Sequence, residues 1–249
     1  MRRNQMLAKL RAGQAVTGLW MNVGSPILAE IAAHAGFDWI LLDTQHGYWS
    51  DTELLSAFQV IAATETAPIA RVLRNDFGLI GKLLDAGALG VVVPMVNSAE
   101  EAARAVAAMR YPPQGERSAG GSRLSFYGDD YFAAANPEIM VSVMIETRQA
   151  AERAAEILAV PGVDMGFIGP FDLGLSMGPS RYGSAEHEAL IQGVLAAGKS
   201  CGVPVGIYCG TIEDAIRRAQ QGFQLMPCAT DTSFFSGGMR SLVKQWRSR

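Results

Sequence analysis

The chain has 249 residues, of which 49% are hydrophobic and 18% charged, and its formal net charge is −3. That balance describes an ordinary globular protein with a slightly greasy surface suited to contacts between copies. It excludes an electrostatic footprint for nucleic acid, because the longest basic runs are the pairs Arg2–Arg3 and Arg217–Arg218.

The N-terminal MRRNQMLAKLRAG carries two arginines with no apolar run behind them. It predicts a short amphipathic helix and no signal peptide. No stretch approaches about 20 apolar residues free of charge, so no membrane span is expected. Cys201, Cys209 and Cys228 are odd in number and form no CxxC. They predict a reducing, cytoplasmic setting and no thiolate zinc site.

Short apolar, β-branched runs then alternate with Ala-rich stretches to the end of the chain. Strands are predicted over Val16–Met21, Trp39–Leu42, Ile69–Val72, Gly90–Val93, Val141–Ile145, Met165–Ile168, Val205–Tyr208 and Gln224–Pro227. Helices are predicted over Pro26–Ala35, Asp51–Thr64, Phe77–Ala86, Ala99–Met109, Ala150–Leu158, Glu186–Ser200 and Ile212–Gln221. Glycine marks helix ends in AHAGFD, DAGALG, SCGVP and QQGFQ. Eight strands with helical crossovers predict one closed (β/α)8 TIM barrel over residues 1–249. An open doubly wound sheet is the alternative. No GxGxxG follows the first strand and no GxxxxGK(S/T) occurs, so dinucleotide and P-loop sites have no support. A long irregular segment, Tyr111–Asn136, interrupts the alternation and is expected to be functional or to touch another subunit.

In a parallel barrel the working residues sit at the C-terminal ends of the strands. Read there, the second strand delivers Asp43 and His46, the third Arg71, the fifth Glu146, and the sixth the turn Gly169-Pro170-Phe171-Asp172. Glu146 and Asp172 lie on neighbouring strands. Two carboxylates without Cys or His favour a hard divalent cation whose remaining positions go to water or to a chelating 2-oxo acid. The bland alternative is that each acid is a salt-bridge partner, of Arg71 or Arg148 for example.

Gly169 permits close approach of a ligand to backbone N–H groups. His46, three residues after Asp43, has the form of a general base oriented by an acid. Arg71 could stabilise an enolate oxygen. His34 and His187 are expected to be peripheral. The aromatics Trp20, Tyr48, Trp49, Phe126, Phe171 and Tyr208 fall near strand exits and are candidates for lining a pocket. The lysines, Lys9, Lys82, Lys199 and Lys244, all fall in helical or terminal stretches. None projects from a strand end as a Schiff-base aldolase requires.

The segments GLWMNVGSPILAEIAAHAGFDWILLDTQHG, LLDAGALGVVVPMVNSAEEA, RYPPQGERS, MIETRQA and PGVDMGFIGPFDLGLSMG together resemble the HpcH/HpaI aldolase family across nearly the whole chain. The resemblance implies a metal-dependent pyruvate aldolase. Such an enzyme cleaves 4-hydroxy-2-oxo acids to pyruvate or hydroxypyruvate plus an aldehyde, and runs the addition in reverse. It implies Mg²⁺, Mn²⁺ or Co²⁺ on Glu146 and Asp172, with His46 as base and Arg71 on the enolate and aldehyde oxygens. It implies that Asp85 of a neighbouring subunit raises the basicity of His46. The backbone of Gly169, Phe171 and Asp172 would hold the substrate carboxylate, beside Trp20. It further implies a homo-oligomer, often a hexamer with exchanged C-terminal helices. Gln45, Met144 and Phe171 depart from the family pattern and alter the pocket more than the chemistry. An acyl-CoA ester lyase and a non-catalytic carboxylate-binding barrel are the competing functions.

Overall fold

A computed structural model describes residues 1–249 and shows eight parallel strands closed into a barrel in chain order. The strands are β1 (Val16–Met21), β2 (Trp39–Asp43), β3 (Ala67–Arg71), β4 (Gly90–Val93), β5 (Met140–Ile145), β6 (Met165–Ile168), β7 (Val205–Ile207) and β8 (Leu225–Thr230). Strands β1 and β8 close the ring, pairing from Val16↔Leu225 to Trp20↔Thr230. That closure rules out the open doubly wound sheet.

Helix α1 (Gln5–Arg11) precedes the barrel. Between strands lie α2 (Pro26–Ala33), α3 (Asp51–Ala62), α4 (Phe77–Ala86), α5 (Ala99–Met109), α6 (Tyr131–Glu138), α7 (Arg148–Glu152), α8 (Ala154–Leu158), α9 (Pro170–Met177), α10 (Ala185–Cys201) and α11 (Ile212–Gln221). Helix α12 (Asp231–Arg247) follows the last strand. Ser25, Ser50, Asp76, Ser98, Ser184 and Thr211 each accept a backbone N–H from the first turn of the following helix. Such caps are worth about 1 kcal/mol each and set where a strand-exit loop ends. At the far end of α4, Gly87 adopts φ 115°, which a side chain would resist.

Side chains alternate between two apolar layers. On β2, Trp39 and Leu41 belong to the inner cluster, and Ile40 and Leu42 to the outer one under the helices. On β5, Met140 and Met144 point in while Val141, Val143 and Ile145 point out. On β3, Ala67 and Ile69 point in and Ala70 out. Continued by period 2, the next inward positions at the C-terminal rim are Asp43, Glu146 and Arg71. The opposite mouth is plugged. Met6, Leu7 and Leu10 of α1 join the inner cluster, and Asn4 ties the plug down by donating to the Leu89 and Glu138 carbonyls at 2.9 and 3.0 Å. A helix of seven residues has little stability alone, so this packing is what holds it.

The structure departs from the sequence expectations in four places. The helix predicted over Ala150–Leu158 is two, α7 and α8, broken at Arg153. The Tyr111–Asn136 segment is not irregular throughout: it holds a 3-10 turn at Ser122–Tyr127 and most of α6. Arg117 fastens it, lying 4.6 Å from the Tyr111 ring and donating to the Tyr131 hydroxyl at 3.2 Å and to Asp85 at 3.0 Å. Helix α9 was not anticipated, because its first residues are a Gly-Pro turn. Helix α12, which the resemblance implies, is absent from the helices read by periodicity: it leaves Phe234 78%, Phe235 69% and Trp246 63% exposed, and no core-facing stripe announces it. No helix is long and apolar enough to cross a membrane.

Candidate active site

The register of β2 and β3 places Asp43 directly beside Arg71. Both point inward, and Arg71 donates from Nε to Asp43 Oδ1 at 2.9 Å and from Nη2 to Oδ2 at 2.5 Å. Trp20 Nε1 donates to the same carboxylate at 3.1 Å, as do the backbone N–H groups of Gln45 and His46 at 3.0 and 3.2 Å. Burial pushes the Asp43 carboxyl upward. The hydrogen bond and charge of Arg71, then Trp20 and the His46 backbone, outweigh it and hold the carboxyl below its ordinary value. Asp43 is thus a hub that orients an arginine, an indole and the His46 loop. This corrects the expectation that it orients the imidazole: its bond is to the backbone N–H of His46, and the ring is exposed at the rim.

Across the barrel the arrangement is the opposite. Ile145 is in register with Ile168, so Glu146 and Gly169 follow side by side. A Cβ at Gly169 would lie 2.7 Å from Glu146 Oε2, so only glycine leaves that oxygen its place. Glu146 Oε1 accepts the Met95 N–H at 2.6 Å. Met95 holds φ 56°, a left-handed conformation costly for a side chain, and thereby turns its N–H onto the acid. Glu146 is 3% exposed and has no salt-bridge partner. Burial raises its pKa, the Met95 bond opposes this, the nearby Asp172 charge raises it further, and Arg71 offsets part. Asp172 lies in the first turn of α9, where backbone N–H groups lack helical partners. No third His, Cys, Asp or Glu joins the pair.

Between these two sides lies a cavity of about 200 Å³, bounded by Trp20, Asp43, His46, Arg71, Gly169 and Asp172. Met144, Phe167, Phe171 and Tyr208 complete much of its wall. Trp20 is the centre of the aromatic part, 5.5 Å from the Phe167 ring and 5.6 Å from Tyr208, with Arg71 4.9 Å from its own ring. A larger cleft, of about 420 Å³, lies at the plugged end beside Leu10 and Lys199. Barrel chemistry is built from strand C-termini, so the smaller cavity is the candidate site.

Of the residues singled out in the sequence, Trp20, Asp43, His46, Arg71, Gly169, Phe171 and Asp172 line this cavity, and Glu146 lies against Gly169. Asp85 does not. It ends α4, on the opposite face from the rim, and pairs with Arg117 at 3.0 Å. Tyr48 and Phe126 are surface residues, 80% and 83% exposed, and Trp49 donates to the Met21 carbonyl at 3.1 Å. His187 is not peripheral: it is 3% exposed, and its Nε2 lies 2.7 Å from the Pro170 carbonyl, bracing the α9 turn. Asn22 and Met95 were missed. The inward parity of β1 points to Asn22, two residues past Trp20; nothing local announces Met95.

Residues 16–236 match the model of the HpcH/HpaI aldolase/citrate lyase family. The chain belongs to this family, and so to the carbon–carbon lyases. It is similar to the hydroxypyruvate/pyruvate aldolase of Delftia acidovorans, at 39% identity over 98% of this chain and 93% of the relative. It is 35% identical to the 5-keto-4-deoxy-D-glucarate aldolase of Salmonella arizonae, covering 98% and 97% of the two chains. The crystal structure of an HpcH/HpaI aldolase/citrate lyase family protein from Burkholderia cenocepacia superimposes with TM-score 0.93 at 33% identity, covering 98% of this chain and 99% of that one. A citrate lyase beta subunit from M. tuberculosis, solved with oxaloacetate and magnesium, shares the fold at 20% identity and TM-score 0.59 over 89% and 93% of the two chains.

Proposed function

We propose that this chain is a divalent-metal-dependent aldolase that cleaves 4-hydroxy-2-oxo acids to pyruvate or hydroxypyruvate and an aldehyde, and catalyses the reverse addition. The observation that carries this is the unpaired acid pair: Asp172 lines one small cavity with His46 and Arg71, and Glu146 lies against Gly169 of the same wall. Two acceptor-only carboxylates without Cys or His fit Mg²⁺, Mn²⁺ or Co²⁺. The space that a Cβ at Gly169 would fill keeps Glu146 Oε2 free to serve. When bound, such a cation supplies Lewis-acid stabilisation of the charge that develops on the keto oxygen.

The remaining work falls to the chain. The free first-turn N–H groups of α9, at Phe171 and Asp172, hold the substrate carboxylate. His46 takes the proton of the 4-hydroxyl as the C3–C4 bond breaks, and a proton returns to C3 to give the methyl group of pyruvate. Arg71, locked by Asp43, donates to the oxygen of the departing aldehyde. The aromatic wall around Trp20 excludes water.

Incubation with EDTA tests the reading. Turnover of a 4-hydroxy-2-oxo acid is expected to vanish and to return with Mn²⁺; activity that survives full chelation overturns it. The competing functions are separated in the same assay, since an acyl-CoA lyase releases CoA products and a mere carboxylate binder turns nothing over. We also propose that the protein works as a homo-oligomer, a hexamer built as a trimer of dimers, in the cytoplasm. Supporting this are the exposed apolar face of α12 and three free cysteines. Light scattering on the eluted protein tests the assembly.

A further inference from the structure

We infer that the aldehyde partner of this site carries an uncharged, apolar or aromatic substituent, and that aldehydes bearing a second carboxylate are disfavoured. The inference rests on the aldolase reading above and extends it to the half of the cavity that reading leaves unassigned.

With the keto acid against Gly169 and Asp172, the space left for the aldehyde lies toward Trp20, Asn22, Phe171 and Tyr208. Its floor is Phe167 and Met144, both buried. Trp20 packs against Phe167 and edge-on to Tyr208, so the surface offered to the aldehyde's substituent is continuous and aromatic.

The charges point the same way. One guanidinium lines the cavity, Arg71, and it is paired with the Asp43 carboxylate. Arg71 has already given Nε and Nη2 to Asp43. Its remaining N–H groups, two on Nη1 and one on Nη2, belong to a cation whose charge Asp43 already matches and which the reading above assigns to the reacting aldehyde oxygen. Other arginines are elsewhere or engaged: Arg74 and Arg104 line a separate cavity with Gln45 and Met95, and Arg148 and Arg181 are paired with Glu186. A second carboxylate on the aldehyde would therefore lose its hydration against aromatic rings, with no unengaged arginine or lysine in the cavity lining to meet it.

The test has two steps, on the full-length protein with saturating Mn²⁺. First, exchange of the pyruvate methyl protons in D₂O is followed by NMR; it needs no aldehyde. Its absence overturns the aldolase reading, and this inference with it. Where exchange is present, kcat/KM is compared for propanal and benzaldehyde against succinic semialdehyde. The uncharged aldehydes are expected to be favoured by about tenfold or more. Equal or better use of succinic semialdehyde, or no turnover of either uncharged aldehyde, overturns the inference and leaves the aldolase reading standing. In a second arm, Phe171→Arg places a cation at the exposed side of the same wall. The ratio of kcat/KM for succinic semialdehyde to that for propanal is expected to rise about tenfold; an unchanged ratio shows that missing charge is not what sets the preference.

Discussion

The two sides of the barrel rim differ in how far each is complete within the chain. At β2 and β3, five donors meet one carboxylate, and Asp43, Arg71 and Trp20 satisfy one another. At β5 and β6, two carboxylates share one backbone N–H between them and no cation. The first side is a preorganised set whose geometry is settled before any ligand arrives. The second carries an electrostatic cost that burial increases, as the raised pKa of Glu146 records. A site keeps such a deficit where something from outside removes it, and the incomplete side is the one our proposal assigns to a cation.

The contrast breaks most sharply at Glu146. Glu146→Gln removes the buried charge, and turnover with saturating Mn²⁺ is expected to fall about 10³-fold, with Mn²⁺ binding by calorimetry weakened in parallel. Undiminished binding would show that the acid pair is not the ligand set. Gly169→Ala attacks the same side sterically, since the new Cβ would meet Glu146 Oε2 at 2.7 Å. Mn²⁺ affinity is expected to fall about 10–100-fold, and normal affinity would mean the carboxylate has room to move.

On the complete side, His46→Ala should cost about 10²–10⁴-fold in pyruvate proton exchange while leaving Mn²⁺ binding unchanged. Exchange at the wild-type rate would strip His46 of its role. Asp43→Asn tests the hub itself. Because Asp43 and Arg71 are both buried, the loss is expected to be about 3 kcal/mol by urea unfolding at neutral pH. The sign with pH follows from the lowered pKa of Asp43. Its contribution is full above the ordinary carboxylate value and is lost as pH falls through the depressed folded value. The variant should therefore show a flatter acid limb than the wild type, and parallel limbs would refute the coupling. The smallest effect is expected from His187→Leu, which frees the Pro170 carbonyl. About 1 kcal/mol of stability should go, with KM for pyruvate rising as the α9 turn loosens; an unchanged KM would reduce His187 to packing.

Much of this was legible beforehand. Eight short apolar runs separated by capped helical stretches left little besides a closed parallel barrel. Glu146 and Arg71 could be placed on its rim because a strand has period 2 and both residues end an apolar run. What escaped depended on contacts distant in sequence. The bond from Asp43 to the His46 backbone instead of its ring, the bracing of Pro170 by His187 across 17 positions, and the Met95 N–H reaching Glu146 across 51 are all of this kind.

The amino-acid sequence by itself determined the barrel, the rim at which the candidate site lies and the acids that stand there, because hydrophobic periodicity and helix caps are local properties. Only the tertiary structure decided which charges neutralise each other and which remain open. Pairing depends on strand register and on the direction of side chains brought together from different strands, and no stretch of chain contains that information alone.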